Sequence, residues 1–396
     1  MQLRVRSLCR SIGVRRPSLT KMSCGRTKSE ALVENVLAPF SQQRLAAELQ
    51  KALYFAVCSD ASNSGHTKLF PYTVQYFCAS EGVKYGLLDF YDDSNESSEA
   101  IFKQIVSITE NNGLSVSQIS AYGADNASVN YGRHNSVFQK LREANPQIVK
   151  GNCKCHIINN TVKAANRVFS AGGCDVEAFV LKSADKFYGS KAKQILRSLL
   201  PQQQDQFRSL VDRFFEKAVL YLEDKFDFND QVLAHIGCLS LHEGQSLQWS
   251  ELEVLVEKLA LDVEEDKLYG DVVILNEVLH TIPTDLTPDR KWAYFFSKAT
   301  ESTELLKVVA FVFSIPVSNA YAERVFSHME DVWSDKRNRL SLAMVKSELQ
   351  VLGCYTSGCG SGRGCYVKRV GSGLVWAKIS VSVGYRVGCA VNNCVY

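Results

Sequence analysis

The sequence predicts an α/β protein: a mixed five-stranded sheet with helices, interrupted by a shortened all-helical insertion and closed by C-terminal helices. Three observations carry this expectation. Three strand-like runs follow one another with only turn residues between them, which makes them antiparallel neighbours. A helix then leads into a strand–helix–strand step. Beyond Leu200 the apolar residues recur at helical spacing. At 396 residues the chain can bury one large core or two to three ordinary domains.

The first strand is expected over residues 52 to 59 and runs into Asp60-Ala-Ser-Asn-Ser-Gly. The second spans 72 to 79 and the third 84 to 90. Residues 98 to 110 form an amphipathic helix through Ile101, Ile105 and Ile108, ended by Asn112-Gly113. The fourth strand, 116 to 122, runs into Gly123-Ala-Asp125-Asn-Ala. A helix over 135 to 143 and a strand over 148 to 150 complete the unit. This order is that of a ribonuclease H-like fold, in which the first and fourth strands lie side by side. Asp60 and Asp125 then leave their strands at the same end. Two close carboxylates repel each other unless a proton or a divalent cation lies between them. Mg²⁺ or Mn²⁺, which take oxygen ligands, suit such a pair and serve phosphodiester chemistry. The plainer alternative is that both aspartates end their strands as turn or cap residues.

Cys153 and His156 follow at a strand-to-helix junction. Two such residues do not make a zinc site, so buried structural roles are the default for them.

From Gln206 to Leu261 the pattern is helical, with Phe207, Val211, Phe214, Phe215, Val219 and Leu222 on one apolar face. The acidic stretch from 262 to 290 reads as a solvated face or linker, because it would repel DNA. Residues 292 to 312 read as one helix packing on the core, and Pro316 breaks the pattern. Ser318 is the expected N-cap of the next helix. Behind it Ala322, Val325, Phe326, Met329, Val332 and Trp333 share one arc, flanked by Glu323 and Glu330. After a charged turn, a second apolar pattern runs through Leu342, Val345, Leu349 and Leu352. Of these residues, Val325, Phe326, Met329 and Trp333, with Leu340, Val345 and Leu349, make a surface for packing on the chain's own core or for pairing with a second copy.

The ends differ from the rest. Residues 1 to 28 hold eight basic residues (Arg4, Arg6, Arg10, Arg15, Arg16, Lys21, Arg26 and Lys28) and no acidic one. A nucleic-acid-binding arm, a nuclear address and an organelle transit peptide all fit that composition. Met22 is an alternative start. The tail from 354 to 396 is rich in glycine and cysteine. Its cysteines at 359, 365, 389 and 394 lack the close pairs of a zinc site, so an unrelated extension is expected. Thirteen scattered cysteines suit a reducing compartment better than a disulfide scaffold. The formal charge of +3 says little about a nucleic-acid partner, and no run of about 18 apolar residues offers a membrane span.

Four stretches, in order, resemble hAT-family transposases. They are CSDASNSGHTKLFPYTVQYF around Asp60, YGADNASVNYG around Asp125, the CxxH of Cys153 and His156, and SNAYAERVFS followed by WSDKRNRLS. The resemblance implies a ribonuclease H-like core over 29 to 170 and a shortened helical insertion with an acidic linker over 171 to 290. It also implies a C-terminal dimerisation region over 291 to 353 that completes the core. It carries over Asp60, Asp125 and Glu323 as the catalytic acids, with Mg²⁺ or Mn²⁺ as their cofactor, and puts Cys153 and His156 near the same pocket.

This chain departs from the family at two points: no zinc finger of the BED type precedes the core, and no arginine–tryptophan motif follows it. The expected function is therefore a transposon-derived protein that forms homo-oligomers through its C-terminal region, without strand-transfer activity. The alternative is an active metal-dependent transposase cutting and joining DNA through the three acids. An unrelated interaction module would need all four matches to be accidental. The nucleus is the expected location, with DNA as a weakened partner.

Overall fold

The computed structural model describes residues 25–64, 67–172, 201–226, 228–242, 244–333 and 340–356. Most of the basic arm, residues 173–200 and nearly all of the glycine- and cysteine-rich tail lie outside them. The chain forms two compact units: Met1–Cys153 with Cys238–Ser361, and Lys154–Gly237 with Gly362–Tyr396.

In the first unit, α1 (Arg26–Leu32) passes through a π turn into α2 (Ala38–Lys51). The sheet follows, with β1 (Phe55–Ser59), β2 (Ser62–Ser64), β3 (Thr67–Cys78), β4 (Gly82–Asp92), β5 (Ile119–Ala124) and β6 (Val149–Asn152). Its order is β2–β3–β1–β5–β6, with β4 also paired to β3. The pairs β1–β3, β2–β3 and β3–β4 are antiparallel, while β1–β5 and β5–β6 are parallel. The mixed α/β class expected from the sequence is what forms.

The sixth strand has a simple origin. Ser59 stands opposite Tyr72 and Ser62 opposite Leu69, so β2 continues the register of β1 along β3. The two are one line of chain, interrupted at Asp60 and Ala61.

Every residue of β1 and β5 is buried, as central strands covered on both faces must be. On one face lie α3 (Ser98–Asn111) and, after the short α4 (Ser128–Tyr131), α5 (Val137–Ala144), and Ile101, Ile105, Ile108, Phe138 and Leu141 of α3 and α5 pack with Phe55, Val57 and Tyr122. Ser97 and Ser136 cap these helices by accepting from the Ala100 and Gln139 amides. On the sheet also lies α12 (Thr303–Ser314), which touches β3, β1 and β5. Gln75 of β3 ties it down: Nε2 donates to the Phe313 carbonyl at 3.0 Å and the Ile315 carbonyl at 3.1 Å.

The run from 292 to 312 is two helices rather than one, α11 (Pro288–Lys298) and α12. The cause is a neighbour. Buried Asp271 accepts from the Leu305 amide at 3.0 Å, one of the N-terminal amides that a fresh helix start leaves open. That aspartate belongs to α10 (Glu265–Val278), within the stretch read as a solvated face or linker. Asp289 likewise accepts from the Val83 amide of β4. Acids in this stretch thus divide between capping, as at Asp271 and Asp289, and solvent exposure, as at Asp262, Glu264, Glu265 and Asp266.

The C-terminal pair is α13 (Ala320–Val332) and α14 (Leu342–Thr356). Val325, Met329, Val345 and Leu349 pack with Leu69, Leu87 and Phe90 of the sheet, and Phe326, Trp333 and Leu340 lie against this cluster partly buried. Lys346 pairs with Asp89, and Gln350 donates to the Leu88 carbonyl. The apolar arc of this segment is therefore spent largely on its own core.

The second unit contains α6 (Lys154–Ala171), α7 (Pro201–Lys225) and α8 (Gln231–His235). Its core cluster is small, Val168, Phe169 and Leu210 with Val211 and Phe214 against it. Phe215 and Val219 of the expected apolar face are exposed instead, as is the neighbouring Leu220. Among the described residues no helix is long and apolar enough to cross a membrane.

Gln75→Leu leaves the Phe313 and Ile315 carbonyls buried without their donor. It is expected to destabilise the chain by about 1–3 kcal/mol, seen as a lower denaturation midpoint with an unchanged slope.

Candidate functional site

Asp60 and Asp125 are brought level by strand register. Val57 pairs with Tyr122 and Cys58 with Gly123, a constant offset. Continued by two residues, that offset sets Asp60 opposite Asp125, each just beyond the end of its strand. Parallel strands send both chains out on the same side, so the two carboxylates leave one end of the sheet.

Both aspartates also do the work of turn residues. Asp60 Oδ1 accepts from the Ala61 amide at 2.8 Å. Asp125 Oδ1 accepts from the Ala127 amide at 3.2 Å and from Asn130 Nδ2 at 2.7 Å. Asn130 is held in turn by Tyr122, whose hydroxyl donates to Asn130 Oδ1 at 3.0 Å. Burial holds the Tyr122 phenol well above its ordinary range, so it stays protonated and remains a donor. The residue that orients Asp125 thus rests on a side chain inside the core.

Glu323 lies in the first turn of α13, exposed. The preceding chain sits directly on the strand ends. Pro316 is buried over Gly123 of β5 and Gly151 of β6, where an added Cβ would fall 2.9 Å and 2.7 Å from its Cγ. Only glycine admits the ring this closely at those two positions. Asn319, rather than Ser318, occupies the N-cap position, and its side chain does not cap its own helix. It turns to the sheet instead: Nδ2 donates to the carbonyl of Ser59, the residue before Asp60, at 3.4 Å. The Asn319 amide points at Cys153 Sγ, 3.3 Å away, and its carbonyl accepts from the Glu323 amide at 3.0 Å.

Cys153 is fully buried and follows β6, its amide donating to the Ala124 carbonyl at 3.1 Å. Its role in the first unit is as a partner of the Asn319 amide. His156 is half-buried in the first turn of α6, in the second unit. On β1, burial and then the neighbouring Cys153 push the Cys58 thiol up to about 12, so it is a neutral thiol at physiological pH.

Three carboxylates would suit a hard ion such as Mg²⁺ or Mn²⁺, but among the described residues Asp60, Asp125 and Glu323 are not gathered into one ligand group, and the Glu323 carboxylate lies within 4.8 Å of Cys153 Sγ instead. Sequence reasoning missed Asn319, Asn130 and the Pro316–glycine contact. Asn130 and Asn319 both stood inside quoted motifs, but what each touches depends on residues far along the chain.

Residues 274–350 match the model of the hAT family C-terminal dimerisation region. The match runs from the last turn of α10 into α14 and includes Asn319 and Glu323. No curated protein matches the chain.

Proposed function

We propose that this chain is a transposon-derived protein that pairs with a second copy through its C-terminal region and has a ribonuclease H-like core without strand-transfer activity. The observation that carries the reading is the register that levels Asp60 with Asp125, joined to a Glu323 helix anchored on the same strand ends. The strand order supports the fold assignment, with three antiparallel strand lines on one side of the β1–β5 contact and two parallel strands on the other. Dimerisation rests on the family match over 274–350. The inward packing of Val325, Met329, Val345 and Leu349 leaves pairing to other residues of that region. Ile274 and Val317 are its exposed large apolar side chains among the described residues.

Asp60, Asp125 and Glu323 would hold Mg²⁺ or Mn²⁺ in this reading. Such a cation, when bound, activates a nucleophile and stabilises a leaving oxygen in phosphodiester chemistry. The chain's own part is to keep Asp60 and Asp125 at one rigid sheet end, with Asp125 oriented by Asn130 and Tyr122. Strand transfer needs more, because DNA must be placed to within a fraction of a bond length of the acids. The arginine–tryptophan motif that the family resemblance calls for is absent from the sequence. The second reading, an active transposase, is favoured by the presence of all three acids. A nuclear location accompanies either.

Incubating the chain with duplex DNA and Mn²⁺ is expected to produce no nicking above a metal-free control. Metal-dependent nicking that Asp60→Ala abolishes would establish the active reading instead. Sedimentation at micromolar concentration is expected to show a dimer, and a strict monomer would remove the pairing assignment.

A further inference from the structure

Cys153 directly follows β6 and is fully buried, and two other metal-binding side chains converge on its sulfur. The Glu323 carboxylate, from the first turn of α13, lies within 4.8 Å of Cys153 Sγ. His156 comes three residues after Cys153, in the first turn of α6, so a single turn of chain sets their separation. A nitrogen of its ring also lies within 4.8 Å of the sulfur. Donor atoms that share a tetrahedral Zn²⁺ at about 2.0–2.3 Å stand roughly 3.5 Å from one another. Small side-chain adjustments bring this set to that spacing, and Glu323, being exposed, has room to make them.

The donors are a thiolate, an imidazole and a carboxylate. That mixture suits Zn²⁺, which accepts sulfur, nitrogen and oxygen together, and not Mg²⁺, which takes oxygen. Three protein ligands leave the fourth tetrahedral position to water. A second observation concerns the sulfur itself. The Asn319 amide points at Cys153 Sγ from 3.3 Å, and an amide so placed favours the thiolate, the form that binds metal. The Asn319 carbonyl accepts from the Glu323 amide, so one buried residue orients two of the three donors. A thiolate in this buried place is costly by itself, and a bound cation offsets that cost.

We propose that Cys153, His156 and Glu323 form a Zn²⁺ site. On binding, the Cys153 thiol gives its proton to solvent and His156 coordinates as the neutral ring. The site does not rest on the reading of Asp60, Asp125 and Glu323 as acids around a hard ion. The two readings share Glu323 alone, and the two cations exclude one another there. Zn²⁺ engages Glu323 beside the end of β6, whereas Asp60 and Asp125 follow β1 and β5. It therefore favours a chain without strand-transfer activity.

The test is a titration of the full, reduced, metal-free chain with Co²⁺, followed by absorption and then by displacement with Zn²⁺. One equivalent of Co²⁺ is expected to produce a thiolate-to-cobalt charge-transfer band with the visible bands of a tetrahedral site, and Zn²⁺ to abolish both. Cys153→Ser is expected to lose the charge-transfer band, while Cys155→Ser, at the exposed cysteine of the same motif, keeps it. His156→Ala and Glu323→Gln are expected to weaken Zn²⁺ binding by more than the roughly 10- to 100-fold that changes outside the ligand shell cause. Circular dichroism checks folding, and Glu323→Gln, at an exposed position, carries the test if Cys153→Ser does not fold. No charge-transfer band in the parent, a band that survives Cys153→Ser, or unchanged Zn²⁺ affinity in Glu323→Gln would overturn the assignment. Asp60→Ala is expected to leave the Co²⁺ spectrum unchanged. Its effect on Mn²⁺ binding tests the acid reading separately.

Discussion

The parallel contact between β1 and β5 is the constraint on which the rest of this structure depends. Both strands are buried along their whole length, so their register is strongly specified by the core on either face. A slip of one residue would turn Val57 and Tyr122 away from the helices that cover them. The same register brings Asp60 and Asp125 level at one sheet end. At that point the pairing of β1 with β3 breaks off, and it resumes in the same register as β2. Asp60 and Ala61 occupy the interruption.

The C-terminal segment is fitted onto this frame by a short series of specific contacts. Gln75 fixes the end of α12 through two carbonyls, Ser120 meets Ser314 at 2.6 Å, and Pro316 lies on two glycines of neighbouring strands. Asn319 follows, and the helix bearing Glu323 begins. Each contact joins residues that lie roughly 160 to 260 positions apart in sequence. The region matched to a dimerisation family thus also completes the core of its own chain, as the packing of Val325, Met329, Val345 and Leu349 on Leu69, Leu87 and Phe90 shows. Covering an apolar sheet face and presenting Glu323 are done by the same helix.

Where a local pattern determines the outcome, the sequence was readable. The turn-bounded runs that form β3 and β4, the Ile101–Ile105–Ile108 stripe of α3 and the acids at the ends of β1 and β5 all follow from residue type and spacing. Readings failed where a distant residue decided. The helix expected over 292 to 312 divides because Asp271, on another helix, takes the Leu305 amide. Ser318 yields the N-cap position to Asn319, whose side chain finds Ser59 rather than its own helix. The face of α7 from Val211 to Leu222 looked ready to bury as a unit, yet Phe215 and Val219 remain exposed. Periodicity indicates which residues share a helix face but not what the fold brings against it. The residues around the strand ends share this limit: the places of Asp60 and Asp125 just beyond β1 and β5 could be read from the sequence, and the contacts of Asn130, Tyr122, Pro316 and Asn319 could not.

The most direct measurement is anomalous scattering from a crystal of the full chain soaked in Mn²⁺. The expected result is a peak with oxygens of Asp60, Asp125 and Glu323 all at coordination distance, about 2.0–2.6 Å for hard divalent ions. A well-ordered sheet end without such a peak, or Mn²⁺ held elsewhere while the three carboxylates point apart, would contradict the assignment of these acids to one site.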